Sequence, residues 1–442
     1  MKKQTIKILL ISFISYCLTP NLVMAKQIKM QVAMSKPSLL ANKKQTTFLK
    51  VDLTGFKLKS LSERTPTNIA IVLDKSGSMS GTKLNRAKAA AAKAINRLNS
   101  QDIVSIITYD NTVDTLVPAT KVTDQQWIKK AIKTIRPGGS TALFAGVSKG
   151  AAETRKFIDN QKINRIILLS DGLANVGPQT PSELGELGKS LAKEGISVTT
   201  IGLGLGYNED LMTKLAGKSG GNHTFAENAS DLDNIFQNEF NDVLSVIAQE
   251  VTITIECAEG IRPIKILGRD ANIYGQTVMV NLNQLYSNQD KYVLLEVEIP
   301  SHQANNKIKV ASVNIKYNNM ETHQTDKISS NAYVNFTPSQ AVVEKDTDNE
   351  VMSSAIEQIV IEKNKEAVQL RDSGLIQEAK KVLRSNIGLL GRSATKYKSK
   401  KLRKLQAIQK EDESKVDDDS NWNRQRKSMR NQQYKWETQQ AY

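Results

Sequence analysis

The strongest constraint on this chain is a change of rhythm along it. Between residues 67 and 247, short apolar segments alternate with helix-length ones. Asn68-Ile-Ala-Ile-Val-Leu-Asp74, Ile103–Tyr109, Arg165–Asp171 and Ile196–Leu203 are apolar over most of their length. A strand wetted on one face alternates, whereas a nearly continuous apolar run is covered on both. Between these runs, Lys83–Leu98, Asp124–Ile135, Ala142–Phe157 and Pro181–Glu194 carry helical spacing. Thr115-Leu-Val-Pro118 reads as a short edge strand. Leu211–Ala216, a strand at Asn222–Ala226 and a helix at Ala229–Ile247 complete the series. The alternation predicts an α/β fold, a doubly wound, mostly parallel sheet with helices on both faces.

The flanks keep another rhythm. Residues 27–60 alternate at Gln31-Val-Ala-Met and more clearly at Phe48-Leu-Lys-Val-Asp-Leu. Residues 249 to about 337 do so again in Val278-Met-Val-Asn-Leu, Tyr292–Ile299 and Lys309–Tyr317, with no helix-length pattern between them. These segments predict a β-sandwich. The early strands have no partners of their own, so they are expected to complete it. The α/β domain is then inserted between the first and later strands of the sandwich, which closely spaced termini make feasible. Beyond it, Val351–Ser373, Ile376–Leu390 and Thr395–Gln409 read as helices, broken at Gly374 and near residue 392. The expected division is a leader at 1–25, N-terminal sandwich strands at 26–66, the α/β domain at 67–247, the sandwich at 248–340, a C-terminal helical segment at 341–410, and a polar, flexible tail at 411–442.

The leader follows from Met1-Lys2-Lys3, an apolar run from Ile8 to Leu18, and Val23-Met24-Ala25. A basic start, an apolar stretch too short to span a bilayer and small residues before a cut describe a secretory signal peptide. The expectation is an exported protein, periplasmic, secreted or peripherally attached to the cell surface, with no transmembrane span in the mature chain. Cleavage removes Lys2, Lys3, Lys7 and Cys17 and leaves Cys257 as the single cysteine, so no internal disulfide forms. Cys257 sits in a strand-like run and reads as a small core residue.

The chemistry concentrates in Asp74-Lys-Ser76-Gly-Ser78-Met-Ser80-Gly81. Asp74 ends a buried strand, and hydroxyls follow at alternate positions of the loop leading into a helix. Loops at the carboxyl ends of strands form the ligand crevice of an open α/β sheet, and hard cations take oxygen ligands. Alone, Asp-x-Ser-x-Ser is a weak signal. Two further features make it specific. Gly138-Gly-Ser-Thr141 stands directly before a helix, and Asp171-Gly172 ends another buried strand. This set resembles the metal-ion-dependent adhesion site of von Willebrand factor A domains, complete at Asp74, Ser76, Ser78, Thr141 and Asp171, with the match spanning roughly 67–247. The whole arrangement also resembles, more loosely, exported bacterial proteins in which the A domain lies between β-rich segments. The resemblance implies Ser76, Ser78 and Thr141 as direct ligands, and Asp74 and Asp171 as acceptors acting directly or through water. It implies Mg2+, with Mn2+ or Ca2+ as alternatives. It also implies a partner protein whose Asp or Glu completes the shell.

Binding rather than catalysis is the expectation. Metal-assisted hydrolysis needs a positioned base, and none of His223, His302 and His323 belongs to a metal or triad motif. The leading reading is an exported, metal-dependent adhesion or scaffold protein. An envelope assembly or maturation factor, and a non-catalytic accessory subunit of a metal-dependent enzyme, are the alternatives. Gly202-Leu-Gly204-Leu-Gly206 reads as a tight strand-exit loop, because no Lys-Ser/Thr follows it. From Arg392 to Lys404 there are seven basic residues and no acidic ones, in a chain of formal net charge +16. They read first as a solvated helix face and second as a weak contact for an anionic surface. Scarce aromatics argue against nucleic acid.

Overall fold

A computed structural model describes residues 27–58 and 64–440. The leader expected at 1–25 lies outside the described residues. The N-terminal strands are β1 (Ile28–Met34), β2 (Ser38–Leu40) and β3 (Gln45–Gly55). The α/β domain follows as β4 (Thr67–Asp74), α1 (Thr82–Ile95), β5 (Ile103–Tyr109), β6 (Val113–Lys121), α2 (Gln125–Lys133), α3 (Leu143–Arg155), β7 (Ile163–Ser170), α4 (Pro181–Lys193), β8 (Ile196–Leu203), α5 (Glu209–Ser219), β9 (His223–Ala226) and α6 (Leu232–Val243). Its sheet runs β6-β5-β4-β7-β8-β9, parallel except for the edge pair β5–β6. Every residue of β4, β5, β7 and β8 is buried. That is why those segments read as continuous apolar runs rather than alternations. Two apolar clusters, one per face, hold the helices against the sheet.

The sandwich is built from β10 (Val246–Cys257), β11 (Arg262–Leu267), β12 (Asn272–Tyr274), β13 (Thr277–Tyr286), β14 (Asp290–Ile299), β15 (Lys307–Asn319) and β16 (Gln324–Thr337). One sheet is ordered β1-β3-β14-β11 and the other β12-β13-β10-β15-β16-β2. The early strands thus enter both sheets. β3 sits inside the first, paired antiparallel to β14 over ten positions from Thr54–Asp290 to Gln45–Ile299, and β2 closes the second beside β16. One apolar core joins the two sheets and includes the free Cys257, whose thiol burial pushes up to about 11.

The C-terminal layer comprises α7 (Gln340–Lys345), α8 (Asn349–Asp372), α9 (Ile376–Lys396), α10 (Lys400–Lys415) and α11 (Trp422–Thr438). Among the described residues, no helix is long and apolar enough to cross a membrane.

Three expectations need correction here. The helix expected at 229–247 stops at Val243, because Val246 and Ile247 already belong to β10 and bury. The break between α9 and α10 falls at Tyr397–Ser399, where Lys398 takes a positive φ of 51°, not near residue 392. Gly391 stays helical, and a Cβ there would lie 2.6 Å from the Gln406 side chain, so the residue permits close approach of α9 and α10 rather than ending a helix.

The third correction is the tail, whose described residues are largely helical and packed. α10 continues to Lys415, and α11 packs along the α/β domain and the helical layer. Its polar composition hid this, because α11 is anchored by polar contacts. Gln425 Nε2 donates to the buried Asp412 at 2.7 Å, and Gln433 Nε2 donates to the buried Asn364 at 2.5 Å. Lys427 Nζ donates to Tyr207 O at 2.6 Å and also binds Glu209. Arg426 binds Glu209, Asp210 and Asp372. Asn431 and Gln440 side chains accept the backbone N–H groups of Phe225 and His223, covering the free edge of β9.

Candidate metal centre

The five residues singled out in the sequence come together at the carboxyl edge of the α/β sheet. β4 and β7 are hydrogen-bonded neighbours, so Asp74 ends one strand beside Ser170, and Asp171 follows directly. The chain leaves β4 toward β5 on one side and β7 toward β8 on the other, which opens a crevice at their ends. Asp74 is wholly buried. Its Oδ1 accepts the Ser76 N–H at 2.8 Å, and its Oδ2 accepts the Ser170 hydroxyl at 2.7 Å. Burial raises its pKa, and these hydrogen bonds oppose the rise.

The Asp74 bonds fold the following loop into one short turn, Gly77–Met79, whose Met79 plugs the core beneath it. The turn sets Ser76 Oγ 3.1 Å from Ser78 Oγ, and Ser78 Oγ donates to Asp171 Oδ1 at 2.6 Å. A hydroxyl that gives its proton to a carboxylate keeps oxygen lone pairs for a cation. Thr141 reaches the same place from the loop before α3. A Cβ built on Gly172 would lie 3.2 Å from Thr141 Oγ1 and 3.5 Å from Ser78 Oγ, so the two hydroxyls flank one point.

The Thr141 loop is held from both sides. Gly138 N–H donates to Lys75 O at 2.8 Å, Gly77 N–H to Gly139 O at 3.1 Å, and Thr141 N–H to Asn175 Oδ1 at 2.7 Å. Gly139 has φ of +72° and packs on Asp110 and Asn111, where a Cβ would clash at 2.1 Å, so only glycine closes the loop.

Two neighbours escaped the sequence reading. Lys83, in the first turn of α1, donates its ammonium to Asp171 Oδ2 at 2.5 Å. Ser170 orients Asp74. Ser170 carried a readable signal as the polar last residue of an otherwise apolar run. Lys83 stands five residues beyond Ser78 at the start of the helix that the loop feeds, and that position alone did not mark it.

The donor set is two carboxylates and three hydroxyls, with no sulfur and no imidazole. Among the described residues, no group of three or more His, Cys, Asp or Glu is placed to hold a metal ion. Such a set suits a hard, small divalent cation and not a soft one. Ser76, Thr141, Asp74 and Asp171 are buried while Ser78 is exposed, so the site is closed below and open above. The loops that follow β7 and β8 carry the exposed apolar side chains Leu173, Val176 and Leu205. Leu205 lies in the glycine loop, where Gly206 approaches the Asp171 carbonyl so closely that a Cβ would sit 2.6 Å from it. That loop is indeed a tight strand exit. His223 is buried, its Nδ1 2.8 Å from Thr200 Oγ1, and burial pushes its pKa down to about 3. It packs away from the centre.

The von Willebrand factor type A domain model matches residues 68–238. Residues 68–238 thus have the α/β fold of a VWA domain, and the helical segment at 340–438 lies outside the matched residues. Among curated relatives, the Uncharacterized protein YfbK of Escherichia coli (strain K12) is 29% identical over 214 residues, 48% of this chain and 37% of that one. The Uncharacterized protein sll0103 of Synechocystis sp. is 26% identical over 276 residues, 60% of this chain and 65% of that one. The chain therefore spans between about a third and two thirds of the length of these relatives. The solved structure of a von Willebrand factor type A protein from Catenulispora acidiphila superposes with a TM-score of 0.70 at 15% identity, over 85% of this chain and 89% of that one. That likeness is one of fold, and it extends well beyond the VWA segment.

Proposed function

We propose that this protein is a metal-dependent binding protein whose VWA domain captures a partner carboxylate through a divalent cation, Mg2+ first among candidates. The observation that carries the reading is the convergence of Ser76, Ser78 and Thr141 hydroxyls with Asp74 and Asp171 at one open point on the sheet's carboxyl edge. These residues would hold the ion, and the ion would supply Lewis acidity toward an incoming anionic oxygen. Two carboxylates partly offset by the Lys83 ammonium leave a divalent ion short of negative charge. A partner Asp or Glu supplies it. The exposed apolar Leu173, Val176 and Leu205, on the loops after β7 and β8, offer contact area for a docked partner.

The role proposed is adhesion or scaffolding without catalysis. The test is capture of partners on the immobilised full chain, in Mg2+ and then in EDTA, with Ser78→Ala as the control. Retention in Mg2+ that EDTA and Ser78→Ala each reduce by at least about tenfold is the expected outcome. Retention indifferent to both defeats the reading.

A further inference from the structure

The basic run from Arg392 to Lys404 spans the end of α9, the turn after it and the start of α10. From residue 379 to 410 the chain has eleven Lys and Arg and no Asp or Glu. Along the shafts of the two helices these charges find carboxylates elsewhere: Lys380 binds Asp417 and Arg384 binds Glu413. At the tip they do not. Arg392, Lys396, Lys398, Lys400, Lys401, Arg403 and Lys404 are all exposed. Among the described residues only Lys401 has a carboxylate within ion-pair distance, Glu357 at 2.6 Å. The tip is therefore a concentrated, solvent-facing positive patch rather than a lattice of mutually neutralised charges.

We propose that this helical tip docks the protein on an anionic lipid surface. Clusters of four to eight Lys and Arg bind such surfaces through summed, individually weak attractions. Five of the seven residues are Lys, compact charges on flexible stems that suit a diffuse layer of headgroups better than bidentate recognition. Single-stranded nucleic acid would want open aromatic faces for base stacking. The one aromatic of the tip, Tyr397, is only half exposed and lies against the Lys396 ammonium at 5.5 Å.

The fold also fixes where the VWA site stands relative to this patch. Asn423, near the start of α11, donates to Leu205 O beside the candidate metal centre. Trp436, near its end, lies against the Lys401 ammonium at 5.6 Å. Thirteen helical residues separate them, about 20 Å at helical rise. A protein held by the tip keeps its metal centre about one helix length from the surface, free to engage a partner.

The test is co-sedimentation of the full chain with phosphatidylcholine vesicles containing about 30% phosphatidylglycerol, in EDTA so that metal plays no part, across about 50 to 300 mM salt. The patch variant replaces Lys396, Lys398, Lys400, Arg403 and Lys404 with Gln. A charge-matched control replaces the exposed Lys43, Lys121, Lys130, Lys309 and Lys327 with Gln. Wild-type binding that falls at least about tenfold with salt, is lost to a similar degree in the patch variant, and changes less than about threefold in the control supports the proposal. Equal losses in both variants, binding to pure phosphatidylcholine, or tighter binding to a single-stranded oligonucleotide at equal phosphate concentration each overturns it. Unchanged thermal melting of the patch variant shows that its loss is not unfolding.

Discussion

Asp74→Ala is expected to weaken Mg2+ binding by about 100-fold while leaving the protein folded. Asp74 is the deepest group of the centre. Its two oxygens hold the Ser76 N–H and the Ser170 hydroxyl, so its loss unseats the turn that presents Ser76 and Ser78 together. The stability change is small. Ser170 and Ser76 lose an acceptor, costing about 1–3 kcal/mol, and the desolvation of a buried carboxylate is relieved in return. Asp74→Asn keeps the shape and removes the charge, and it falls between Ala and wild type. Lys83→Met moves the opposite way. It removes a positive charge from Asp171 and tightens Mg2+ by about tenfold. Calorimetric titration of the three variants measures all of this. Equal affinity in Asp74→Ala and wild type, or weaker binding in Lys83→Met, contradicts the assignment.

Arg165→Met carries the largest expected effect on stability, a loss of about 3–5 kcal/mol. Arg165 is fully buried where β7 of the VWA domain meets the sandwich. Its Nη1 donates to Thr199 Oγ1 at 2.9 Å and lies 3.3 Å from Glu239 Oε1, and its Nη2 donates to the Tyr286 hydroxyl at 2.9 Å and to Gln284. One side chain thus joins β7, β8, α6 and β13. Without it, the carboxylate of Glu239, equally buried, loses the adjacent guanidinium. Removing both charges, as Arg165→Met with Glu239→Leu, is expected to recover most of the loss, because a buried pair offsets little beyond its own desolvation. Urea unfolding midpoints decide it. A single variant as stable as wild type contradicts this role for Arg165.

How much of this was legible in the sequence depended on what kind of interaction buries each part. β4, β5, β7 and β8 bury mostly through apolar side chains on both faces, so largely apolar runs reported them directly. The candidate centre was legible for a related reason. Asp74 and Asp171 terminate such runs, and strand ends on one sheet edge are close in space whatever their separation in sequence. Lys83 reaches the site by a long side chain from the first turn of a helix, and no spacing rule marks that. α11 stayed hidden because its anchors are Gln425, Arg426, Lys427 and Gln433. Their partners, Asp412, Glu209 and Asn364, lie on other elements, so local polarity alone read as solvation. The end of α6 was misplaced because Val246 and Ile247 are apolar in either assignment, and only the pairing of Val246 with Tyr286 of β13 and the continuation of β10 through Ala248 settle them.

The central claim is a divalent ion held by the protein with part of its shell left for a partner's carboxylate. Mn2+ titration of the full chain, followed by electron paramagnetic resonance and water-proton relaxation, tests it most directly. The expected result is saturable binding of one ion that Asp74→Ala removes, with relaxation enhancement showing exchangeable water on the bound ion. That enhancement should fall as a glutamate-bearing peptide is added and a carboxylate replaces water. No saturable site, or a bound ion with no exchangeable water and no response to carboxylate, contradicts the account.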